Sequence, residues 1–371
     1  MRNFSVEQSL IKAKSHENKG ELVEAQKLYQ TILKNFSNNV RAQKGLDALN
    51  KYNFKQINIQ RSVNQLVNLF HQGQFSSVVE QAKIILDDYP QAFVIWNILG
   101  ASKAKIGELD EAIQFYYKAI SLKPNFAEAY FNMGYALKNQ GKLDQAIKAY
   151  NKCISIKPDY AQAYNNKGNI LKEQGKLEEA IQYYNKTLAL NSDHVDAHFN
   201  IGNALKIQGK LDEAIKFYNK SISLKPNYAD AYYNVGNILR DQGKLDEAIK
   251  AYQNTISINT NYAEAYYNMG IALKDQGKLD EAVKAYKIFI SLKPDYAETY
   301  NNLGNIFQDL GKYKESIEAF KTALSLKPDY AEAYSNMGIV LKDTGKLTEA
   351  IEAHKNAISL NPDYADAHYN M

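Results

Sequence analysis

Apolar and polar positions alternate along this chain in a pattern that returns every 34 residues. In the stretch 263–296, Ala265, Met269 and Leu273 recur at a spacing of four, which places them on one face of a helix. Gly277 interrupts the pattern, because a glycine ends a helix easily in the positive-φ conformation, and KLDEA then begins a second amphipathic stretch that Asp280 is expected to cap. Each stretch therefore predicts two helices joined by a short turn.

Three residue types mark the period. A glycine is followed twelve positions later by a small residue, and four positions after that by an aromatic residue, replaced by His354 in the last complete stretch. The glycines are Gly100, Gly134, Gly168, Gly202, Gly236, Gly270, Gly304 and Gly338. Glycine and alanine would let two helices approach closely, and the aromatic rings would fill the space between neighbouring units.

This spacing resembles the tetratricopeptide repeat, whose pattern is W-x2-L-G-x2-Y…A-x3-F…P over 34 residues. The resemblance implies an all-α fold, a right-handed superhelical solenoid of 34-residue helix–turn–helix units. One unit cannot bury its apolar face alone, so neighbours must stack. We count nine units over residues 59–364, at 59–92, 93–126, 127–160, 161–194, 195–228, 229–262, 263–296, 297–330 and 331–364.

Both ends of the chain depart from the period. A further unit at 6–39 has Gly20, Ala25 and Tyr29 in the expected places and precedes a single helix, so that 1–50 is predicted to be one unit plus one helix. Residues 51–58 break the period and are predicted to be a linker or an irregular joint. Residues 365–371 are predicted to be the first half-helix of an incomplete unit. This favours a native chain that continues, or self-association through an uncapped C-terminal end.

Charge is unevenly distributed over the 371 residues. Residues 1–58 carry 10 Lys/Arg and 5 Asp/Glu, and the remainder carries 35 and 36. A nearly neutral array lacks the basic stripe that nucleic-acid binding requires, so no nucleic acid is expected. The basic segment 1–58 is interpreted as a second docking site or as an N-terminal cap.

Cysteine usage and hydropathy bear on the compartment. The single cysteine, Cys153, excludes an internal disulfide bond, and no apolar run resembles a signal peptide or a membrane span. The sequence predicts a cytoplasmic protein without membrane association.

Asparagine stands two residues before each glycine from Gly134 to Gly338, and the positions one and five residues after the glycine share its helix face by their spacing. These positions form the predicted groove: Asn132, Asn166, Asn200, Asn234, Asn268, Asn302 and Asn336 at the first, Asn169, Asn203, Asn237 and Asn305 at the second, and Asp241, Asp275 and Asp309 at the third. An asparagine offers a donor and an acceptor, which matches a peptide unit. The resemblance implies that this stripe lines the concave groove, as in the superhelical half of the O-linked N-acetylglucosamine transferases.

Two interpretations of the asparagines remain open at this point. They grip an extended peptide along the groove, or they are polar surface residues that bond to the adjoining helix. The lysines and arginines of a clamp for acidic C-terminal tails are absent from the groove stripe, which argues against that class of adaptor.

Signatures of catalysis are missing from the sequence. It holds no phosphate-binding loop and no nucleophile motif, and Cys153 stands where other units place small packing residues. His194 and His198, spaced as a metal pair would be, occupy positions where other units carry tyrosine, which favours packing. No enzyme activity, metal or cofactor is therefore expected.

Three functional hypotheses follow. The preferred one is a scaffold that binds a partner protein or an extended peptide in the concave groove. The alternatives are the substrate-recognition part of a larger bacterial glycosyl-, sulfo- or methyltransferase, whose repeat arrays this one resembles, and a self-assembling repeat module.

Overall fold

The computed structural model describes residues 5–363 and 365–370, and within them the chain forms 21 α-helices and no strand. It divides into two compact bodies, an N-terminal body of residues 1–170 and a C-terminal body of residues 171–371. In both bodies the helices are paired along the chain, which confirms the predicted all-α solenoid of helix–turn–helix units. No described helix is long and apolar enough to cross a membrane.

The helices of the N-terminal body follow one another with short turns. They are α1 Val6–Asn18, α2 Leu22–Asn35, α3 Val40–His71, α4 Phe75–Asp88, α5 Phe93–Lys105, α6 Leu109–Leu122, α7 Ala127–Asn139 and α8 Leu143–Ile156. Helix α9, Ala161–Glu173, runs across the boundary in sequence between the two bodies.

The C-terminal body continues the same alternation of 14-residue and 13-residue helices. They are α10 Leu177–Leu190, α11 Val195–Ile207, α12 Leu211–Leu224, α13 Ala229–Asp241, α14 Leu245–Ile258, α15 Ala263–Asp275, α16 Leu279–Leu292, α17 Ala297–Asp309, α18 Tyr313–Leu326, α19 Ala331–Asp343, α20 Leu347–Leu360 and the short α21 Ala365–Asn370. Residues Tyr364 and Met371, at the edges of the predicted incomplete unit, lie outside the described residues.

The turn inside each repeat depends on glycine. Gly277 has a φ of 73°, and the next residue, Lys278, donates its N–H to the carbonyl of Leu273 at 2.9 Å, which closes the end of α15. The predicted glycine turn is confirmed. The predicted cap is wrong: Lys278 occupies the cap position without a side-chain hydrogen bond, and Asp280 lies inside the first turn, 3.8 Å from Lys312.

A second glycine position allows close packing within the repeat. A Cβ atom on Gly270 would lie only 2.8 Å from the ring of Tyr286, which is fully buried. Ala282, also fully buried, lies in the same apolar cluster as Tyr286. Glycine is therefore required here because the aromatic ring of the second helix lies directly on the backbone of the first.

The predicted joint at 51–58 is the part of the fold that the structure overturns. These residues lie inside α3, which continues without a break from Val40 to His71. No glycine or proline stands between Gly45 and Gly73, so nothing in the backbone ends the helix once it has begun. At about 1.5 Å per residue, α3 is roughly 48 Å long.

Candidate functional site

The predicted groove asparagines lie on the first helices of successive repeats. Six of the seven that precede a glycine by two residues are half-buried, and Asn200 is buried. Asn132 and Asn166 belong to the N-terminal body, and the other five belong to the C-terminal body. The asparagines after the glycine, Asn169, Asn203, Asn237 and Asn305, are half-buried on the same helices, whereas Asp241, Asp275 and Asp309 are exposed.

The amide nitrogens of these asparagines point toward the preceding repeat. Asn302 donates to the hydroxyl of Tyr267 at 3.4 Å, and Asn336 donates to the side-chain oxygen of Asn301 at 3.1 Å. In the N-terminal body, Asn132 donates to Asn97 at 3.1 Å. In these three bonds the acceptor stands 35 residues earlier in the chain. The donor half of the amide is thus used to join one repeat to the next.

Asn268 shows the most complete set of bonds. Its amide nitrogen donates to the hydroxyl of Tyr233 at 2.9 Å and to the side-chain oxygen of Asn237 at 3.0 Å. Its own oxygen accepts from Arg240 at 3.0 Å. A side chain with this many internal partners has no unused group to offer a ligand.

At two positions, a cationic side chain of the preceding repeat donates to the side-chain oxygen of the asparagine. Lys206 Nζ lies 2.7 Å from Asn234 Oδ1. Arg240 lies 3.0 Å from the side-chain oxygen of Asn268 in the same way. Burial lowers the pKa of Lys206, and the nearby charge of Asp241 acts in the opposite direction. Sequence reasoning missed these cations, although a visible signal marks them. Lysine or arginine stands four residues after the glycine in most units, at Lys138, Lys172, Lys206, Arg240, Lys274 and Lys342.

The asparagines just after the glycine hold tyrosine hydroxyls. Asn203 accepts from Tyr218 at 2.8 Å, and Asn237 accepts from Tyr252 at 2.9 Å. Burial raises the pKa of Tyr252, because the ionised phenolate would be poorly solvated there. In these two repeats the asparagine after the glycine therefore has a structural task.

At α17 the same position has no such task. The aromatic residue of this repeat is Phe320, which has no hydroxyl to bind, and its ring lies against Gly304. Asn305 makes no side-chain hydrogen bond within the described residues, and nothing there donates to the side-chain oxygens of Asn302 and Asn336. Asp309, one turn further along α17, is exposed. Among the described residues, Asn302, Asn305 and Asn336 therefore carry polar groups on α17 and α19 that have no internal partner.

Two of the acids six residues before the glycine pair with lysines of their own repeat. Glu264 pairs with Lys293, and this contact holds the pKa of Glu264 below its ordinary value. Glu298 lies 3.4 Å from Lys327 in the same way. These acids stabilise the repeat and leave the groove positions to the asparagines.

The histidine pair has backbone contacts. His194 Nδ1 accepts the N–H of Ala197 at 3.2 Å and so caps α11. His198 Nε2 lies 2.9 Å from the carbonyl oxygen of Ser192, and Trp96 donates to the carbonyl of Pro90 from the same repeat position. Cys153 is buried, and burial raises the pKa of its thiol to about 12. No cluster of metal-binding side chains occurs in the part of the chain that the structure describes.

Family models cover most of the repeat region. Models described as "TPR repeat" match residues 100–141, 236–277, 272–311, 304–345 and 340–371. Models described as "Tetratricopeptide repeat" match residues 159–227, 127–160 and 217–250. Together these matches extend from residue 100 to residue 371.

Similarity to curated proteins is confined to short segments. The Peroxisomal targeting signal receptor of Candida albicans is 36% identical over 66 residues, which are 18% of this chain and 11% of that protein. Protein FlbA of Caulobacter vibrioides is 36% identical over 61 residues, 16% of this chain and 10% of that protein. The chain thus spans about a tenth of the length of these relatives.

One solved structure agrees with the fold, and a second is similar in sequence. The C-terminal part of a TPR repeat-containing protein from Cytophaga hutchinsonii superposes with a TM-score of 0.57 at 18% identity, covering 65% of this chain and 99% of that chain. YrrB, described as a TPR protein with an unusual peptide-binding site, is 26% identical with a TM-score of 0.46, covering 50% of this chain and 96% of that chain.

Proposed function

Since the chain belongs to the tetratricopeptide repeat family, we propose that it is a protein-interaction scaffold that binds an extended segment of a partner protein across α15, α17 and α19. The observation that carries the proposal is the concentration of unused polar groups at Asn302, Asn305 and Asn336. In the two repeats that precede α17, Lys206 and Arg240 occupy the side-chain oxygens of Asn234 and Asn268.

The chemistry of these groups fits a peptide backbone. Asn302 and Asn336 each donate one amide hydrogen internally, and their oxygens are acceptors for backbone N–H groups. Asn305 supplies both a donor and an acceptor. Packed helices lie roughly 8–10 Å apart, and an extended chain rises about 3.3 Å per residue. Asn302 and Asn336, on successive first helices, would therefore meet about every third residue of the partner.

The proposed site includes only some of the groove residues that the sequence predicts. Asn234 and Asn268 are placed by Lys206 and Arg240 in internal hydrogen bonds, so they serve the stability of the array. Asp309 and Asp275, both exposed, would favour a partner segment that is neutral or basic. Binding through backbone groups would be tolerant of the partner's side chains.

Relatives give coarse support for a binding role. A peroxisomal targeting signal receptor is by its name a protein that recognises a signal on another molecule. The comparisons favour neither the transferase hypothesis nor the self-assembly hypothesis over a binding role. As part of the proposal, the scaffold acts without catalysis and in the cytoplasm.

The test begins with peptides selected from a random library displayed on phage against the full chain. Asn305→Ala combined with Asn302→Ala should weaken capture of the selected peptides about tenfold, as expected for the loss of two central contacts. The matched control is Asn234→Ala, which removes an asparagine that Lys206 already holds and should leave capture unchanged.

Circular dichroism melting separates binding from folding in the same experiment. Asn305→Ala alone should leave the melting temperature unchanged, because Asn305 makes no internal side-chain bond in the described residues. Unaltered capture by the Asn302→Ala, Asn305→Ala variant would exclude this site. Equal loss in the Asn234→Ala control would assign the effect to the stability of the array.

A further inference from the structure

We propose that the exposed middle of α3, residues 50–65, is a second docking site, which binds an acidic amphipathic helix of a partner protein. This site belongs to the N-terminal body and shares no residue with the groove on α17 and α19. It follows from how α3 is held at its two ends and left uncovered between them.

Both ends of α3 are anchored in apolar clusters. The first part of the helix contributes Ala42 and Leu49 to a cluster with Ala25, Tyr29 and Ile32. The last part contributes Leu66 to a second cluster that contains Val78, Ala82, Leu86, Ile95 and Leu99. The helix therefore connects two packed regions.

Between these anchors no side chain is buried. Leu49 and Leu66 are buried, and every residue from 50 to 65 is exposed or half-buried. At about 1.5 Å per residue, this segment is roughly 24 Å long. A helix with its side chains is about 10–12 Å wide. The exposed segment is therefore long enough for a partner helix to pack across it.

The segment is also a weak helix by composition. Four asparagines, Asn50, Asn53, Asn58 and Asn64, stand in it, and asparagine is among the poorer helix formers. Most helical stability in proteins comes from packing of one face. In this segment Ile59 and Val63 pack against the second cluster, whereas Phe54 and Ile57 are exposed. A partner that covered these two exposed side chains would supply the missing packing.

The exposed face has an apolar centre beside a basic stripe. Phe54 is 67% exposed and Ile57 is 57% exposed, one turn apart on the helix. Lys44, Lys51 and Lys55 recur at spacings of seven and four, which places them in one line along the helix. Lys51 and Phe54 are three residues apart, so the basic line lies beside the apolar residues.

The charge of α3 indicates which kind of helix would bind to it. From residue 40 to residue 65, α3 carries five basic side chains and one acidic side chain, and these are Arg41, Lys44, Lys51, Lys55, Arg61 and Asp47. A second copy of this helix would bring lysines against lysines, which disfavours self-pairing. An amphipathic helix with an apolar stripe and flanking Glu or Asp residues would cover Phe54 and Ile57 and pair with the lysines.

A designed peptide tests the proposal directly. The probe is a 21-residue helical peptide. Leu recurs at the spacing i, i+3, i+4 and i+7 to form one apolar stripe, and Glu stands on either side of that stripe. A control peptide carries Lys in place of every Glu. Calorimetry with the full chain should detect the acidic peptide and not the basic one, and raising the salt concentration should weaken binding because exposed charges are screened.

Two variants locate the site. Phe54→Ser and the pair Lys51→Glu with Lys55→Glu should each weaken the acidic peptide about tenfold, as loss of a central contact does. Because these side chains are exposed, the fold should be retained. The matched control is Ile84→Ser on α4, a residue equally exposed at 67% in the same body, which should leave binding unchanged.

Hydrogen exchange supplies a readout that reports location. Binding should slow exchange of the amides of residues 50–65 more than those of any other described helix. Absence of binding, or binding that protects other residues, overturns the proposal. Concentration-dependent dimerisation that Phe54→Ser abolishes would assign the face to a second copy and would equally overturn it.

Discussion

Tyr252 donates its buried hydroxyl to the side-chain oxygen of Asn237 at 2.9 Å, whereas Tyr286, one repeat later, has no such partner. The position that Asn237 occupies is filled by Ile271 in the repeat of Tyr286, and the neighbouring Asn302 amide donates to Tyr267. The same buried ring is thus satisfied in one repeat and lacks a hydrogen bond in the next.

This difference predicts opposite effects of one substitution at two equivalent sites. Tyr252→Phe should reduce the free energy of unfolding by about 1 kcal/mol, because it removes a hydrogen bond and leaves Asn237 with one partner fewer. Tyr286→Phe should be neutral or slightly stabilising, because its hydroxyl is buried without a partner. Urea denaturation of the two variants, each against the unaltered chain, checks the contrast. Equal destabilisation by both would contradict it.

His354 predicts a pH dependence of stability. The ring is buried against Gly338, and both ring nitrogens lack hydrogen-bond partners within the described residues. Burial lowers the pKa of His354, and the charge of Lys342 adds to the effect. The unfolded chain therefore binds a proton more readily than the folded chain, and the contribution of His354 to stability falls as the pH drops below about 6.5.

Replacement of His354 removes this dependence. His354→Phe, the residue type at the equivalent position 320, should raise the melting temperature more at pH 5.5 than at pH 8. Melting curves followed by circular dichroism at the two pH values measure it. A gain of the same size at both values would show that packing alone, and not protonation, accounts for the change.

Replacing Gly270 or Gly277 by alanine should reduce the free energy of unfolding by different amounts. Gly270→Ala should cost about 1–3 kcal/mol, because its Cβ would meet the ring of Tyr286 in a packed cluster. Gly277→Ala should cost about 1 kcal/mol, because the φ of 73° is unfavourable for alanine although no atom lies within 4 Å of the added carbon. Chemical denaturation of the two variants orders the costs. A larger loss at Gly277 would be inconsistent with a steric requirement at Gly270.

Helix α3 predicts uneven protection along a single helix. Amides from residue 50 to residue 65 should exchange with solvent faster than those near Leu66, because no buried side chain fixes the middle of the helix. Hydrogen exchange followed by mass spectrometry of the free chain measures this profile. Uniform protection from residue 40 to residue 71 would show that the middle of α3 is stabilised by other means.

The repeat itself could be predicted from sequence because its markers are local. Gly277 ends a helix whatever surrounds it, and a glycine sixteen residues before an aromatic residue signals close packing within one unit. The use of the asparagines could not be predicted in the same way. The bond from Asn336 to Asn301 joins residues 35 apart, and it depends on how one first helix packs beside the next, which no local pattern specifies.

The error at residues 51–58 has a different physical origin. Loss of the 34-residue period was interpreted as loss of structure, but a helix needs no period to continue. It needs backbone hydrogen bonds and the absence of glycine and proline, and residues 46–72 meet that condition. Within residues 50–65, Ile59 and Val63 still pack against the second apolar cluster, while the side chains of Phe54 and Ile57 are exposed.

The direction of the asparagine amides imposes a chemical filter on any bound chain. With one amide hydrogen of each donated to the preceding repeat, Asn302 and Asn336 keep an oxygen that can accept from a bound backbone, and only a backbone nitrogen that carries hydrogen can donate to it. Proline carries none on its nitrogen. A segment with proline at the two contacting positions would therefore lose both of these hydrogen bonds, however well its shape fitted. The scaffold would thus discriminate among partners by the position of their prolines.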